Sequence, residues 1–202
     1  MCLMTARSGG TIETSVVGVR VAEIRAAFPD VVIEWRERRC SGLFRRIAIA
    51  EIERDFTRYD TNLILLGHHL TLLAEGVLLC AELGADRLIT GSSGYQANEY
   101  MEQSDTALDI FTRLCAEFSV NLEAPVRKYD SLDAVKYQLL DFGVTTKSLE
   151  AVSLFADSFS TPTEANVAAY LAEKQQLARD YIRLRSQRFV GDRSRRNIEA
   201  AD

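Results

Sequence analysis

Apolar positions along the chain follow two periods in alternation. Residues 2–6 read as a short strand, and Ser8-Gly9-Gly10 breaks it. Val17, Val21, Ile24 and Phe28 then recur at spacings of three and four, which predicts a helix over 14–28 ended by Pro29-Asp30. The β-branched and aromatic run 31–35 predicts a second strand. Residues 36–46 are charged and irregular, and 47–56 carry a short helical pattern. Residues 63–83 form a long apolar helix closed by Gly84. A strand over 87–90, a loop at 91–94, an amphipathic helix over 99–118, a strand over 120–126 and a helix over 131–142 follow. Thr161-Pro162-Thr163-Glu164 offers a capping box for a last helix that runs to about Arg185, with a polar, frayed end beyond Arg188.

Strands alternating with helices long enough to cross over predict an α/β fold: a three-layer sandwich with a mostly parallel sheet. Residues 1–160 would form the nucleotide-binding α/β domain, and 161–202 a C-terminal helix and basic tail of the same domain. In such folds ligands lie at the carboxyl ends of the strands. Two glycine-containing loops occupy that place.

The first loop runs from Ser8 through Thr14. Gly9 and Gly10 allow a tight turn that aims N–H groups at an anion, Ser8, Thr11 and Thr14 add hydroxyls, and Thr14 opens a helix. A phosphate cradle and a plain strand-to-helix turn both fit. The loop is expected to be exposed, so valine at Gly9 or Gly10 would spare the fold. The second loop, Gly91 to Gly94 followed by Tyr95, suits a ligand's sugar, phosphate or base, or is a solvated Ser/Gly loop.

With 47% hydrophobic and 26% charged residues, the composition is that of a globular protein. A net charge of −5 argues against a uniformly basic nucleic-acid face, although the arginines from Arg183 to Arg196 leave a local basic tail open. Cys2, Cys40, Cys80 and Cys115 make no paired spacing, so neither a disulfide framework nor a zinc site is expected. His68 and His69 are adjacent on a helix and point about 100° apart, which suits structural roles better than shared metal binding. No signal peptide is expected, and the apolar helix carries His68, His69, Glu75 and Glu82, which suits burial better than a membrane. A cytoplasmic protein follows. The stripe Val167, Tyr170, Leu171, Leu177, Tyr181 and Leu184 needs another surface, so a homodimer is expected, with this helix at the interface or folded onto the domain.

These segments resemble the PP-loop ATP pyrophosphatases, and within them the 7-cyano-7-deazaguanine synthases. Ser8-Gly9-Gly10 stands where that family has Ser-Gly-Gly-x-Asp-Ser. Asn62-Leu63-Ile64-Leu65-Leu66 is similar to its Arg-Asn segment, Ser93-Gly94-Tyr95 to its Ser-Gly-Tyr turn, and Asp133-Ala134-Val135-Lys136 to its late helix. The departures are specific: Asp-Ser is represented by Glu13-Thr14 after an insertion, Thr61 replaces the arginine, and the four-cysteine zinc site is absent. The resemblance implies ATP-dependent adenylation of a small carboxylate, with pyrophosphate release and amide- or nitrile-type ligation. It implies phosphate contacts at Ser8, Gly9, Gly10, Thr11 and Thr14, with Asn62 and Gly91 also at the nucleotide. It further implies substrate contacts at Ser92, Ser93 and Tyr95, Mg²⁺ on Glu13, and catalytic roles for Glu13 and Lys136. The alternative is a catalytically degenerate protein on the same scaffold that binds a nucleotide or a partner.

Overall fold

In the computed structural model, residues 1–12, 16–146, 152–153 and 162–199 are described, with side chains for 1–10, 17–146 and 162–187. The chain is mixed α/β. Strand β1 (Cys2–Arg7) lies parallel to β3 (Glu34–Arg39), in register from Cys2 opposite Glu34 to Arg7 opposite Arg39. Helix α1 (Val16–Ala27) crosses between them, and β2 (Thr11–Ile12) pairs antiparallel with β6 (Val152–Ser153). A short helix, α2 (Ser41–Phe44), runs into a π-helical turn at Arg45–Ile49 and then α3 (Ile52–Tyr59). Helix α4 (Ile64–Leu83) leads to β4 (Arg87–Ile89), which pairs in parallel with β5 (Asn121–Glu123) across helix α5 (Asp105–Ala116). Helices α6 (Leu132–Asp141) and α7 (Glu164–Glu199) complete the described elements.

The second strand falls three residues later than its β-branched run predicts. Pairing begins where Glu34 meets Cys2, and Val32 is left 85% exposed. The charged sequence Glu34–Arg39 is acceptable in a strand because its inward arginines find acids on α4: Arg38 bonds Glu75 at 3.2 Å and Glu82 at 2.8 Å. A sequence pattern that scores hydrophobicity misses a strand whose neighbours are ions. The predicted helix over 99–118 is shorter for a local reason. Ser104 accepts the N–H of Ala107 and caps α5, after a 3₁₀ turn at Met101–Gln103. Likewise Thr163 caps α7, its Oγ1 accepting from the N–H of Asn166 at 3.2 Å, while Thr161 of the expected capping box lies outside the described residues. The helix then continues past the expected fraying point to Glu199.

Helix α4 organises the core. Its residues 73–80 are buried without interruption, so every face of that stretch is covered. It is long and apolar enough to cross a membrane, yet 72% of its most apolar window is buried inside the chain. Helix α7 lays Val167, Tyr170, Leu171, Ala178 and Ile182 against this core, together with Phe111 and Leu114 of α5. Burial of each large aliphatic side chain contributes about 2 kcal/mol. Of the expected α7 stripe, Val167, Tyr170 and Leu171 are buried on the chain's own core and Leu177 and Tyr181 pack against it, while Leu184 is 61% exposed. Gly67 permits the close approach, because a Cβ there would lie 2.6 Å from the Tyr170 hydroxyl. His69 stacks on Phe111 and His68 meets Phe44 edge-on, structural roles for both. Cys80 and Cys115 are buried as expected, and so is Cys40.

Lys174 sits within the apolar stripe of α7 and is only 1% exposed. Its ammonium lies 2.8 Å from both Glu51 and Asp55. Burial pulls its pKa down, but hydrogen bonds to Asp55 and Glu51 outweigh burial and hold it above the ordinary lysine value. Arg54 and Arg58 join the cluster through Glu173. Glu51, Asp55 and Glu173 therefore already share a protein cation, which satisfies the charge a metal would otherwise supply.

Two outcomes follow from this packing. Lys174→Met leaves Asp55 buried without its ammonium and should cost about 3–5 kcal/mol in urea unfolding. Adding Asp55→Asn should recover part of that loss, and an additive double variant would contradict the pairing. His69 is held down to about 4 by burial and by the neighbouring His68. The unfolded chain takes up this proton first, so stability should fall as pH drops from about 6.5 towards 4, by at most about 1.4 kcal/mol per pH unit. Unfolding curves of His69→Asn should lack that component.

Candidate functional site

The first loop forms a closed turn at the carboxyl end of β1. Ser8 is buried, and its Oγ accepts the N–H of Gly10 at 3.1 Å. Gly9 is exposed and takes φ +79, the left-handed region that favours glycine. Ser41, which opens α2, donates from its Oγ to the carbonyl of Arg7 at 3.3 Å and lies against Gly9. The turn is thus braced by the end of the neighbouring parallel strand.

Gly10 differs from its neighbour. It is buried, and a Cβ there would stand 2.9 Å from the Phe44 ring. The expectation of an exposed loop holds for Gly9 and fails for Gly10, because α2 turns Phe44 under the loop. Phe44 continues into a small cluster with Ala48 and Ile64. Thr11 lies in β2, opposite Ser153. Glu13 and Thr14, expected to hold Mg²⁺ and phosphate, lie outside the described residues.

The second loop follows β4. Ser92 and Ser93 are both buried. The Ser93 N–H donates to Gln103 Oε1 at 2.7 Å, and its hydroxyl donates to Gln96 Oε1 at 2.8 Å. Ser92 Oγ lies 3.2 Å from Thr90 Oγ1. These hydroxyls stabilise the loop's own shape, while Gly91 is exposed with open space beside it and Tyr95 is half-buried. Sequence alone could not assign Gln96 and Gln103 as their partners, because the pairing depends on the 3₁₀ turn that precedes α5.

Asn62 stands at the entry to α4, where its Oδ1 accepts the N–H of Ile64 at 3.0 Å. It lines a cavity of about 520 Å³ with Asp55, Phe56, Thr61 and Tyr170. Ala48 and Ile64 line the same cavity, so the Phe44 cluster links it to the glycine loop. Lys136 stands on α6, 43% exposed, with Asp133 one turn earlier as its ionic neighbour at 3.9 Å. The sequence reading overlooked Lys174, although its signal was present: it falls in the helical register of Leu171 and Ala178. A charged residue in that register marks a buried ion that needs a partner.

The two glycines should separate in a stability assay. Gly10→Ala forces Phe44 to move and should cost about 1–3 kcal/mol by overpacking. Gly9→Ala meets only the Ser41 side chain at contact distance, and its cost should be about 1 kcal/mol, from the left-handed backbone alone. Equal midpoints for Gly10→Ala and wild type in chemical denaturation would contradict the packing on Phe44.

Compared with known proteins, the chain matches no family model, no curated protein and no solved structure.

Proposed function

We propose that the chain binds ATP at the glycine loop and, with Mg²⁺, adenylates a small carboxylate, the first step of an amide- or nitrile-type ligation. The supporting observation is the place and shape of the loop: a Ser8–Gly10 turn with Gly9 at φ +79, at the carboxyl end of the first of two parallel strands. The second loop holds the equivalent place after β4, itself paired in parallel with β5. A cleft of about 670 Å³ is lined by residues of both β1 and β4, which supports neighbouring places for them in one three-layer sandwich.

In this reading Ser8, Gly9, Gly10, Thr11 and Thr14 cradle the phosphates, and Asn62 and Gly91 border the nucleotide. Ser92, Ser93 and Tyr95 shape the substrate side, and Glu13 would hold Mg²⁺. The substrate carboxylate oxygen attacks the α-phosphorus while the bond to pyrophosphate breaks, and a nitrogen nucleophile then displaces AMP. Oriented N–H groups and cations stabilise the charge that develops on the phosphates. The internal bonding of Ser92 and Ser93 and the solvent-facing Lys136 favour a second reading, in which the scaffold binds a nucleotide or a partner without catalysis.

Calorimetry with ATP tests the binding common to both nucleotide readings. Wild type should bind saturably, and Gly9→Val should weaken ATP by at least about tenfold, since the left-handed turn excludes a branched side chain. Gly9 is the informative position, because valine at Gly10 would disturb the core as well. Pyrophosphate release with a panel of carboxylates, lowered far more than AMP binding by Glu13→Gln, distinguishes the ligase from the non-catalytic protein. Absence of ATP binding by wild type would overturn the proposal.

A further inference from the structure

Among the residues whose side chains are described, most arginines sit beside a carboxylate. Arg36, Arg38, Arg54, Arg87 and Arg179 each have one within 4 Å. Arg39, Arg46 and Arg185 have none among the described residues, and all three line one concave site of about 450 Å³. They come from separate elements: Arg39 ends β3, Arg46 lies in the π-helical turn, and Arg185 rides on α7. The chain carries a net charge of −5, so three unpaired guanidinium groups at one cavity run against its overall balance.

Leu43 and Tyr181 are the anchored parts of the cavity wall. Leu43 beside the cavity is buried, and Leu177 and Leu184 add apolar surface. The Tyr181 ring supports the Arg185 guanidinium at 5.7 Å from its centroid. That ring is held in turn by its hydroxyl, which donates to the buried Glu75 at 2.6 Å, and Glu75 is anchored by Arg38. Asp180 also reaches the cavity, with its Oδ1 accepting from Gln176. Guanidinium groups match the oxygens of phosphates in paired hydrogen bonds, while leucine and tyrosine walls suit an apolar or planar body.

We propose that this cavity is a binding site for a small organic phosphate, with the phosphate on Arg39, Arg46 and Arg185 and its apolar body on Tyr181 and the leucines. The site is distinct from the glycine loop: Ser41 and Gly42 stand between them, Ser41 against Gly9 and Gly42 on the cavity wall. The inference does not rest on ATP binding. A concave, partly apolar cavity fits a small molecule better than a nucleic-acid backbone, which is tracked by an extended basic surface.

Phenyl phosphate is the probe, titrated by calorimetry into the full chain. Wild type should bind it saturably and more tightly than inorganic phosphate, because only the former reaches the apolar wall. Each of Arg39→Ala, Arg46→Ala and Arg185→Ala should weaken binding by about tenfold or more, the loss of a charge-assisted contact. The triple variant should show no saturable binding while retaining the wild-type circular dichroism spectrum. Arg46→Lys should recover part of the affinity. Arg113→Ala, which removes an exposed guanidinium on α5 that does not line the cavity, should bind phenyl phosphate as wild type does. The proposal is overturned by absence of binding to wild type, by unchanged affinity in the folded triple variant, or by an equal loss in Arg113→Ala. It is equally overturned if a single-stranded RNA oligomer displaces phenyl phosphate at lower concentration and depends on the same arginines.

Discussion

Covering α4 is the constraint from which the rest of the fold follows. Its middle two turns are buried on every side, and no single neighbour can shield a helix all round. Helix α7 takes one face, the π-helical turn and α5 take others, and the strands close the remainder. The π-helical turn, rarer than an α-turn, stands where Ile47 and Ala48 are pressed into this core. Helix α7 is held in the chain by the same demand, since Val167, Leu171, Ala178 and Ile182 are buried in the core that α4 organises.

Close packing of this kind leaves the charged side chains caught in it few choices. Lys174 and Glu75 both lie against the central helix layer with almost no exposure, and each is satisfied by partners brought from afar. Lys174 reaches Glu51 and Asp55, some 120 residues earlier, while Glu75 receives Arg38 from β3 and the Tyr181 hydroxyl from α7. Such ions contribute little net stability, but losing one partner is costly, so they penalise wrong arrangements of α7. Glu75 also raises the Tyr181 phenol to about 12, behind burial as the larger cause, which keeps the ring neutral and its hydroxyl donating.

Each glycine loop follows a strand of a parallel pair, and the two differ in construction. The first is braced from below by Phe44 and from the side by Ser41, so its shape is set before any ligand arrives. The second is stabilised by its own glutamines and serines. Preorganised turns at the carboxyl ends of parallel strands are where backbone N–H groups can meet an anion at little further entropic cost. The arginine cavity is lined by Arg39, Cys40 and Gly42, while Ser41 lies against Gly9, so the end of β3 would serve both proposed anion sites.

The sequence by itself determined the elements whose signal is local. The periodicity of residues 63–83 marked α4, the β-branched and apolar residues near 88 marked β4, and Ser8-Gly9-Gly10 marked a break after the first strand. Each of these depends on residues within one or two turns of one another. Tertiary structure decided what depends on distant partners. Strand β3 is charged and became legible only through Glu75 and Glu82 of α4. Gly10 looked as free as Gly9 until Phe44 was brought beneath it. Arg39, Arg46 and Arg185 are scattered over nearly 150 positions and share a cavity only because α7 folds back across the π-helical turn. Backbone propensity acts over a few residues, whereas burial and charge pairing are satisfied across the whole chain, and no linear pattern records which distant groups will meet.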